Sequence, residues 1–318
     1  MSGAPLFDER PPFDRERLAR RLAELSRQSI FIGTSSWKYE GWCGQIYTRE
    51  RYMARGAFSR RAFEKNCLRE YAETFPVAGG DFSFYRFPPP GYWAELFASA
   101  PPGLRLALKV PEEITINVFP KHTRYGARAG SENPSYLNAA LLEEALLHPL
   151  EPFGDRLCPF IFEFGAFPRY VYRDVLEFVR DLDRFLEALP PRYRYSVEVR
   201  NAEFLAPAYF DCLRSHGVAH VFNAWTRMPE LAAQIRIREA FTAGFTVCRV
   251  LLRRGRPYET AVQMFSPYEE IRDPNPEGRA AVRDLIDYAR VEGIAAFIFV
   301  NNRFEGNAPR TIEAIVEP

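Results

Sequence analysis

Charge of one sign is the first thing this sequence lacks. Its 42 Lys and Arg face 41 Asp and Glu, a formal net charge of +1 over 318 residues. No bulk field therefore commits the chain to nucleic acid or to a membrane, and local clusters must carry any such case. Long hydrophobic runs are missing too. No apolar stretch approaches the roughly 20 residues of a membrane span, and the N-terminal MSGAPLFDERPP has no apolar signal core. Five cysteines (Cys43, Cys67, Cys158, Cys212 and Cys248) form no C-x-x-C pair, and three sit in apolar runs. That usage suits reduced core thiols and leads to the expectation of a soluble, cytoplasmic protein. Histidine is scarce, with only His122, His148, His216 and His220, which speaks against a His-rich metal centre. His216 and His220 are four apart, but Gly217 between them ends a helix, so they need not share a face. The sequence has no G-x-G-x-x-G, Walker loop, H-E-x-x-H or G-x-S-x-G, which removes the familiar dinucleotide, nucleoside-triphosphatase, zincin and serine-hydrolase readings.

What is present reads as one globular unit. The chain is 47% hydrophobic, 26% charged and 15% aromatic, and no Gly/Ser-rich linker or internal repeat divides it. Residues 1–28 are expected to form an N-terminal arm (residues 1–12) and a helix, in which Leu18, Leu22 and Leu25 share a face behind Asp14 as N-cap. From 29 to 318 the chain alternates. Apolar strand-like runs fall at Ile30–Ile32, Asp81–Tyr85, Leu104–Val110, Pro159–Phe164, Arg194–Arg200, Val218–Asn223, Phe245–Leu251 and Ala295–Asn301. Helical stripes lie between them. The clearest is Val175, Leu176, Val179, Leu182, Phe185 and Leu186, and another ends at Gly293. Eight strands, each followed by a helix, predict a single (β/α)8 TIM barrel rather than a doubly wound open sheet, which usually has fewer strands. Long loops follow strands 1, 3 and 7, and loops of that length in a compact domain are usually functional or disordered.

The barrel predicts where a site lies: at the C-terminal ends of the strands. The run YSVEVRN places Ser196, Glu198 and Arg200 on one face, opposite Tyr195, Val197 and Val199. Two charges on an apolar strand are costly to bury unless paired or used. Strand ends add Lys109, Glu163, Asn223, Arg249, Asn301 and Asn302, all aimed at one mouth. Glu198, Arg200, Glu163 and Lys109 are the catalytic candidates; alternatively, Glu198 simply bridges Arg200 or Lys109. Trp37, Tyr39 and Trp42 follow strand 1, with Lys121, His122, Arg124 and Arg128 after strand 3 and Arg253, Arg254 and Arg256 after strand 7. Guanidinium forks suit phosphate or carboxylate and flat rings stack on bases or sugars, so an anionic small molecule or a nucleic-acid strand is the expected partner. The bland alternative is that the tryptophans pack their loop and the basic residues are solvated. No metal ligand is assigned and no cofactor is required; Mg²⁺ held with waters by Glu198 or Glu163 is compatible with the set. Two close carboxylates also fit glycoside hydrolysis, although a strand 7 ending in Arg249 rather than a carboxylate weakens that reading. The sequence leaves the oligomeric state open.

Several stretches, in order, resemble the TIM-barrel family called domain of unknown function 72, or YecE-like. They are Gly33-Thr-Ser-Ser-Trp37-Lys-Tyr39 with Trp42, Phe84-Tyr85 before prolines, Lys109 with Ile114-Thr115, Glu198-Val-Arg200, Arg249, and Asn301-Asn302 followed by Gly306-Asn307-Ala308. The resemblance runs from Ile30 to the C-terminus and adds Tyr85 and Asn307 to the ligand-binding candidates. It implies a TIM barrel without an agreed activity. The likeness of such barrels to endonuclease-IV-like and sugar-isomerase barrels implies nucleic-acid or phosphate-ester chemistry by analogy of fold. This chain departs from the family pattern at Gly79, Ile116, Glu163, Asn201, Asn223 and Val250–Leu252, where Glu, His, Gln, His, Asp and Leu-His-Gly are usual. If the family's chemistry uses those groups, this chain has altered or lost it.

Overall fold

Eight short strands build the centre of the computed structural model, which describes residues 12–317. They are β1 (Ile30–Thr34), β2 (Val77–Gly80), β3 (Arg105–Leu108), β4 (Phe160–Phe164), β5 (Tyr195–Val199), β6 (Ala219–Ala224), β7 (Phe245–Val250) and β8 (Ala295–Val300). The order around the sheet is β3-β2-β1-β8-β7-β6-β5-β4, with every neighbour parallel. Bridges between Leu106 and Leu157 and between Lys109 and Ile161 close β3 onto β4. There the Val110 amide donates to the Ile161 carbonyl at 2.9 Å and the Cys158 amide to the Leu106 carbonyl at 2.8 Å. The expected (β/α)8 TIM barrel is the fold.

Alternation along the strands divides the barrel interior into two levels. The lower level is apolar: Ala107, Ile161, Val221, Val247, Phe297 and Phe299 pack together with Phe31, whose ring stacks on Phe297 at 5.2 Å. Each such side chain taken out of water contributes about 1.5–3 kcal/mol if it is large. Two residues further along, each of five strands presents a polar group on the same side: Lys109, Glu163, Asn223, Arg249 and Asn301. The lower level thus fills the barrel interior, the upper level is the floor of the mouth, and the larger core lies between strands and helices.

The outer layer follows local sequence rules. Asp14 accepts from the Arg17 amide at 2.8 Å and starts helix Arg15–Arg27, which buries Leu18, Leu22 and Leu25. Asp174 caps Val175–Glu187, Asn275 caps Pro276–Glu292, and Gly293 ends the latter at a φ of 66°. Helix Pro207–Ser215 stops before Gly217, whose φ is 62°, the helix end expected from that glycine. All five cysteines are free, four of them buried. Among the described residues no helix is long and apolar enough to cross a membrane. Apart from Pro12, the expected N-terminal arm lies outside the described residues.

One strand differs from expectation. Asp81–Tyr85 is not the second strand: Asp81–Phe84 is a 3-10 turn, and β2 is the preceding Val77–Gly80. Small residues are needed there. A Cβ on Gly33 of β1 would lie 1.8 Å from the Val77 carbonyl oxygen, and one on Gly80 would lie 2.8 Å from the Leu108 side chain. β1 and β2 share a single register pair, Thr34 with Ala78. Beside it the Tyr71 hydroxyl spans the gap, accepting from the Thr34 amide at 2.9 Å and donating to the Val77 carbonyl at 3.0 Å. A small hairpin (Met53–Ala54 with Ala57–Phe58) interrupts the loop after β1, turning through Arg55 and Gly56 at positive φ.

Candidate functional site

Parallel register sets the geometry of the mouth. Glu163 of β4 lies opposite Glu198 of β5, and Asn223 of β6 opposite Arg249 of β7. The two carboxylates are buried, and Arg249 reaches between them. Its Nη1 donates to Glu163 Oε2 at 2.6 Å and to Glu198 Oε2, while Nη2 meets Asp81 Oδ1 at 3.2 Å. Lys109 Nζ lies 2.8 Å from the same Glu163 oxygen. Arg200 Nη2 lies 2.9 Å from Glu163 Oε2 and 3.1 Å from Glu198 Oε1. Three cations and three carboxylates thus form one neutral cluster, which satisfies the demand that buried charge be paired.

Electrostatics follow from that packing. Burial pushes the Glu163 carboxyl up, but Arg200, Lys109 and Arg249 outweigh it and hold the group well below the usual carboxylate range. Burial likewise opposes the charge on Arg249, and Glu198, Glu163 and Asp81 more than offset it. Glu163 is therefore a fixed anion and a poor proton donor at neutral pH. Asp81 is the loosest member. It sits on the 3-10 turn after β2, its side chain is 34% exposed, and its oxygen is 3.8 Å from Lys109.

Aromatic rings border the cluster. Lys109 Nζ lies 3.6 Å from the centre of Phe84, and the Arg200 guanidinium 3.7 Å from that of Trp225. Tyr85 is 62% exposed, with Arg124 over its ring at 5.1 Å. The loops after β3 and β4 enclose a cavity of 110 Å³ lined by Ile116, Val118, Phe167, Tyr170 and Val171 among others.

Other candidates are engaged within the fold. Trp42 Nε1 donates to Asn302 Oδ1 at 3.1 Å, and the same oxygen accepts from the Ala308 amide at 2.8 Å. Asn307 caps helix Ala308–Val316 and donates to the Tyr268 carbonyl at 2.7 Å. Trp37 is buried edge-on to Phe82. Tyr39 packs between Trp42 and Tyr268, and burial pushes its hydroxyl up to about 12. Asn301 accepts from the Arg303 amide at 3.0 Å. Asn223 donates to the Val199 and Val221 carbonyls at 3.3 Å each, while its Oδ1 is buried without a partner. The loop cations are largely paired: Arg124 with Glu112, Arg128 with Glu113, and both Arg253 and Arg256 with Asp273. Lys121, His122 and Arg254 are exposed.

Sequence reading missed Asp81 and Trp225 as members of the cluster. The expected strand Asp81–Tyr85 hides the role of Asp81 by putting it at a strand start; a polar residue directly after Gly79-Gly80 is the available signal. Trp225 follows β6 directly, just as Arg200 follows β5.

Fold and mouth together define a TIM-barrel protein with a charged cluster at the C-terminal ends of its strands. The chain belongs to the family described as Protein of unknown function DUF72, whose model matches residues 31–317. Among solved structures it is similar to a DUF72 family protein from Thermotoga maritima, at 19% identity and a TM-score of 0.60, covering 90% of this chain and 97% of that one. A DUF72 family protein from Enterococcus faecalis gives 14% identity and a TM-score of 0.59, covering 91% and 96%. No curated protein matches the sequence.

Proposed function

We propose that the barrel mouth binds a small phosphate-bearing ligand of the nucleotide class, and that Glu163 and Glu198 hold its cations in place. The observation that carries this is the convergence of Lys109, Arg200 and Arg249 on one Glu163 oxygen, with Asp81 as the partly exposed partner of Lys109 and Arg249. A phosphate entering from solvent displaces the Asp81 carboxylate, taking up its hydrogen bond from Arg249 and its ion pair with Lys109. Flat groups of the ligand find the Trp225 and Tyr85 rings beside it.

Mg²⁺ fits this donor set poorly. The shared Glu163 oxygen already faces three cations, and a dication there would add to their mutual repulsion. Glycoside hydrolysis needs two working carboxyls, and Glu163, held ionised by three cations on one oxygen, leaves Glu198 without a second. A nucleic-acid strand tracking the loop arginines is disfavoured by the Asp273 pairing of Arg253 and Arg256. The remaining second reading is phosphodiester hydrolysis with Glu198 as acid–base. Turnover lost in Glu198→Gln with binding retained would favour it over simple binding.

Calorimetric titration with AMP and with inorganic phosphate tests the binding reading. Asp81→Asn should tighten both by about tenfold, and Arg200→Ala should weaken AMP by about tenfold or more. Absence of binding, or binding indifferent to both substitutions, would sink it.

A further inference from the structure

A second cluster lies on the outer helical layer, independent of the reading of the mouth. Asp183 belongs to helix Val175–Glu187, and Cys212 to helix Pro207–Ser215, which His216 terminates. Both helices run antiparallel to their strands, so their C-terminal ends lie toward the barrel base, opposite the mouth. His216 Nε2 is 2.8 Å from Asp183 Oδ1, and Cys212 Sγ is 3.9 Å from the same oxygen. The three donor atoms all lie within 4.8 Å of one another. Cys212 and His216 are four apart and so face the same side, toward the neighbouring helix.

We infer that Asp183, Cys212 and His216 form a binding site for a single zinc-type transition-metal ion that ties these two helices together. In a tetrahedral zinc site with one sulfur, one nitrogen and one oxygen ligand, the donors stand about 3.3–3.6 Å apart. Side-chain adjustments of about an ångström bring the present separations to those values. The donor set is selective: a thiolate, an imidazole and one carboxylate suit Zn²⁺ or Co²⁺ and not Mg²⁺ or Ca²⁺. A nucleophile relay is the competing reading of Cys, His and Asp, and the arrangement argues against it. In a relay the imidazole stands between thiol and carboxylate. Here the carboxylate oxygen is the shared vertex, and both other groups turn toward it. The Asp183 side chain is 54% exposed, which leaves room for water as the fourth ligand. On binding, the S–H bond of Cys212 breaks, its proton passes to solvent water, and the thiolate sulfur donates an electron pair to the ion. The site is a staple between helices at the barrel end associated with stability.

The test is titration of chelator-treated full-length protein with Zn²⁺ and with Co²⁺. One equivalent should bind. Co²⁺ should give a thiolate-to-cobalt charge-transfer band in the near ultraviolet, and the melting temperature should rise with the logarithm of free Zn²⁺. Cys212→Ser should abolish the band, His216→Gln should weaken binding at least tenfold, and Cys43→Ser should change neither. No saturable binding, or a band that survives Cys212→Ser, would overturn the proposal. If Cys212→Ser fails to fold, the His216→Gln variant decides, because that residue lies at a helix end: unchanged affinity there rejects the site.

Discussion

Glu163 presents one oxygen, Oε2, to Lys109, Arg200 and Arg249 at once. Its ionised form is favoured in the folded protein, so its folded pKa lies well below the ordinary glutamate value of 4.5. The linked stability is present above that value and is lost as pH falls through the folded pKa. His220 acts at higher pH. Burial drives its pKa down from 6.5 to about 3, so the unfolded chain takes up a proton that the folded one refuses. Stability therefore declines as pH falls from 6.5 toward 3, and a second decline sets in below about 4.5. Urea denaturation across this range should show both limbs. Glu163→Gln should cost about 3–5 kcal/mol at pH 7, because it leaves buried cations short of an anion. That deficit should shrink below pH 4.5. His220→Gln should remove only the upper limb.

At the scale of elements, the contact between β1 and β2 depends on a side chain from outside the sheet. The Tyr71 hydroxyl stands in for the ladder where Gly33 approaches Val77. Tyr71→Phe keeps the ring and its stacking on Phe75 but leaves the Thr34 amide and the Val77 carbonyl unpaired. It should cost about 1–3 kcal/mol in urea denaturation with little change in the slope. This region also marks where sequence reading stopped. Seven of the eight strands were legible because runs such as FIFEF, YSVEV and FTVCRV are apolar and β-branched or aromatic. VAGG has neither property; its glycines answer to close backbone approach, a tertiary demand invisible to propensity. The neighbouring DFSFY carries the apolar signal but folds as a turn. At the mouth, Lys109, Glu163, Glu198, Arg200 and Arg249 could be named because alternation and strand ends fix their direction. The packing of Trp42 and Asn302 against the end of helix Ala308–Val316 could not, because it joins positions 260 apart in sequence.

For the whole molecule, the ladder is thin at two places, between β1 and β2, where Tyr71 spans the gap, and between β3 and β4. β3 and β4 meet only through the bridges at Leu106 and Lys109, and a long excursion of the chain separates them. The contact from Lys109 to Glu163 crosses that seam at 2.8 Å. The seam is therefore the expected site of subglobal opening, readable by native-state amide exchange. The Val110 and Cys158 amides should exchange faster than the amides of β7 and β8, and Lys109→Met should accelerate them further while leaving β7 and β8 unchanged. An anion bound at the mouth that shares Lys109 with Glu163 weakens the same clasp. Occupancy of the mouth and breathing of the seam are then two readings of one equilibrium: each must change the other by the same free energy. The wall that shapes the mouth is also where the barrel yields.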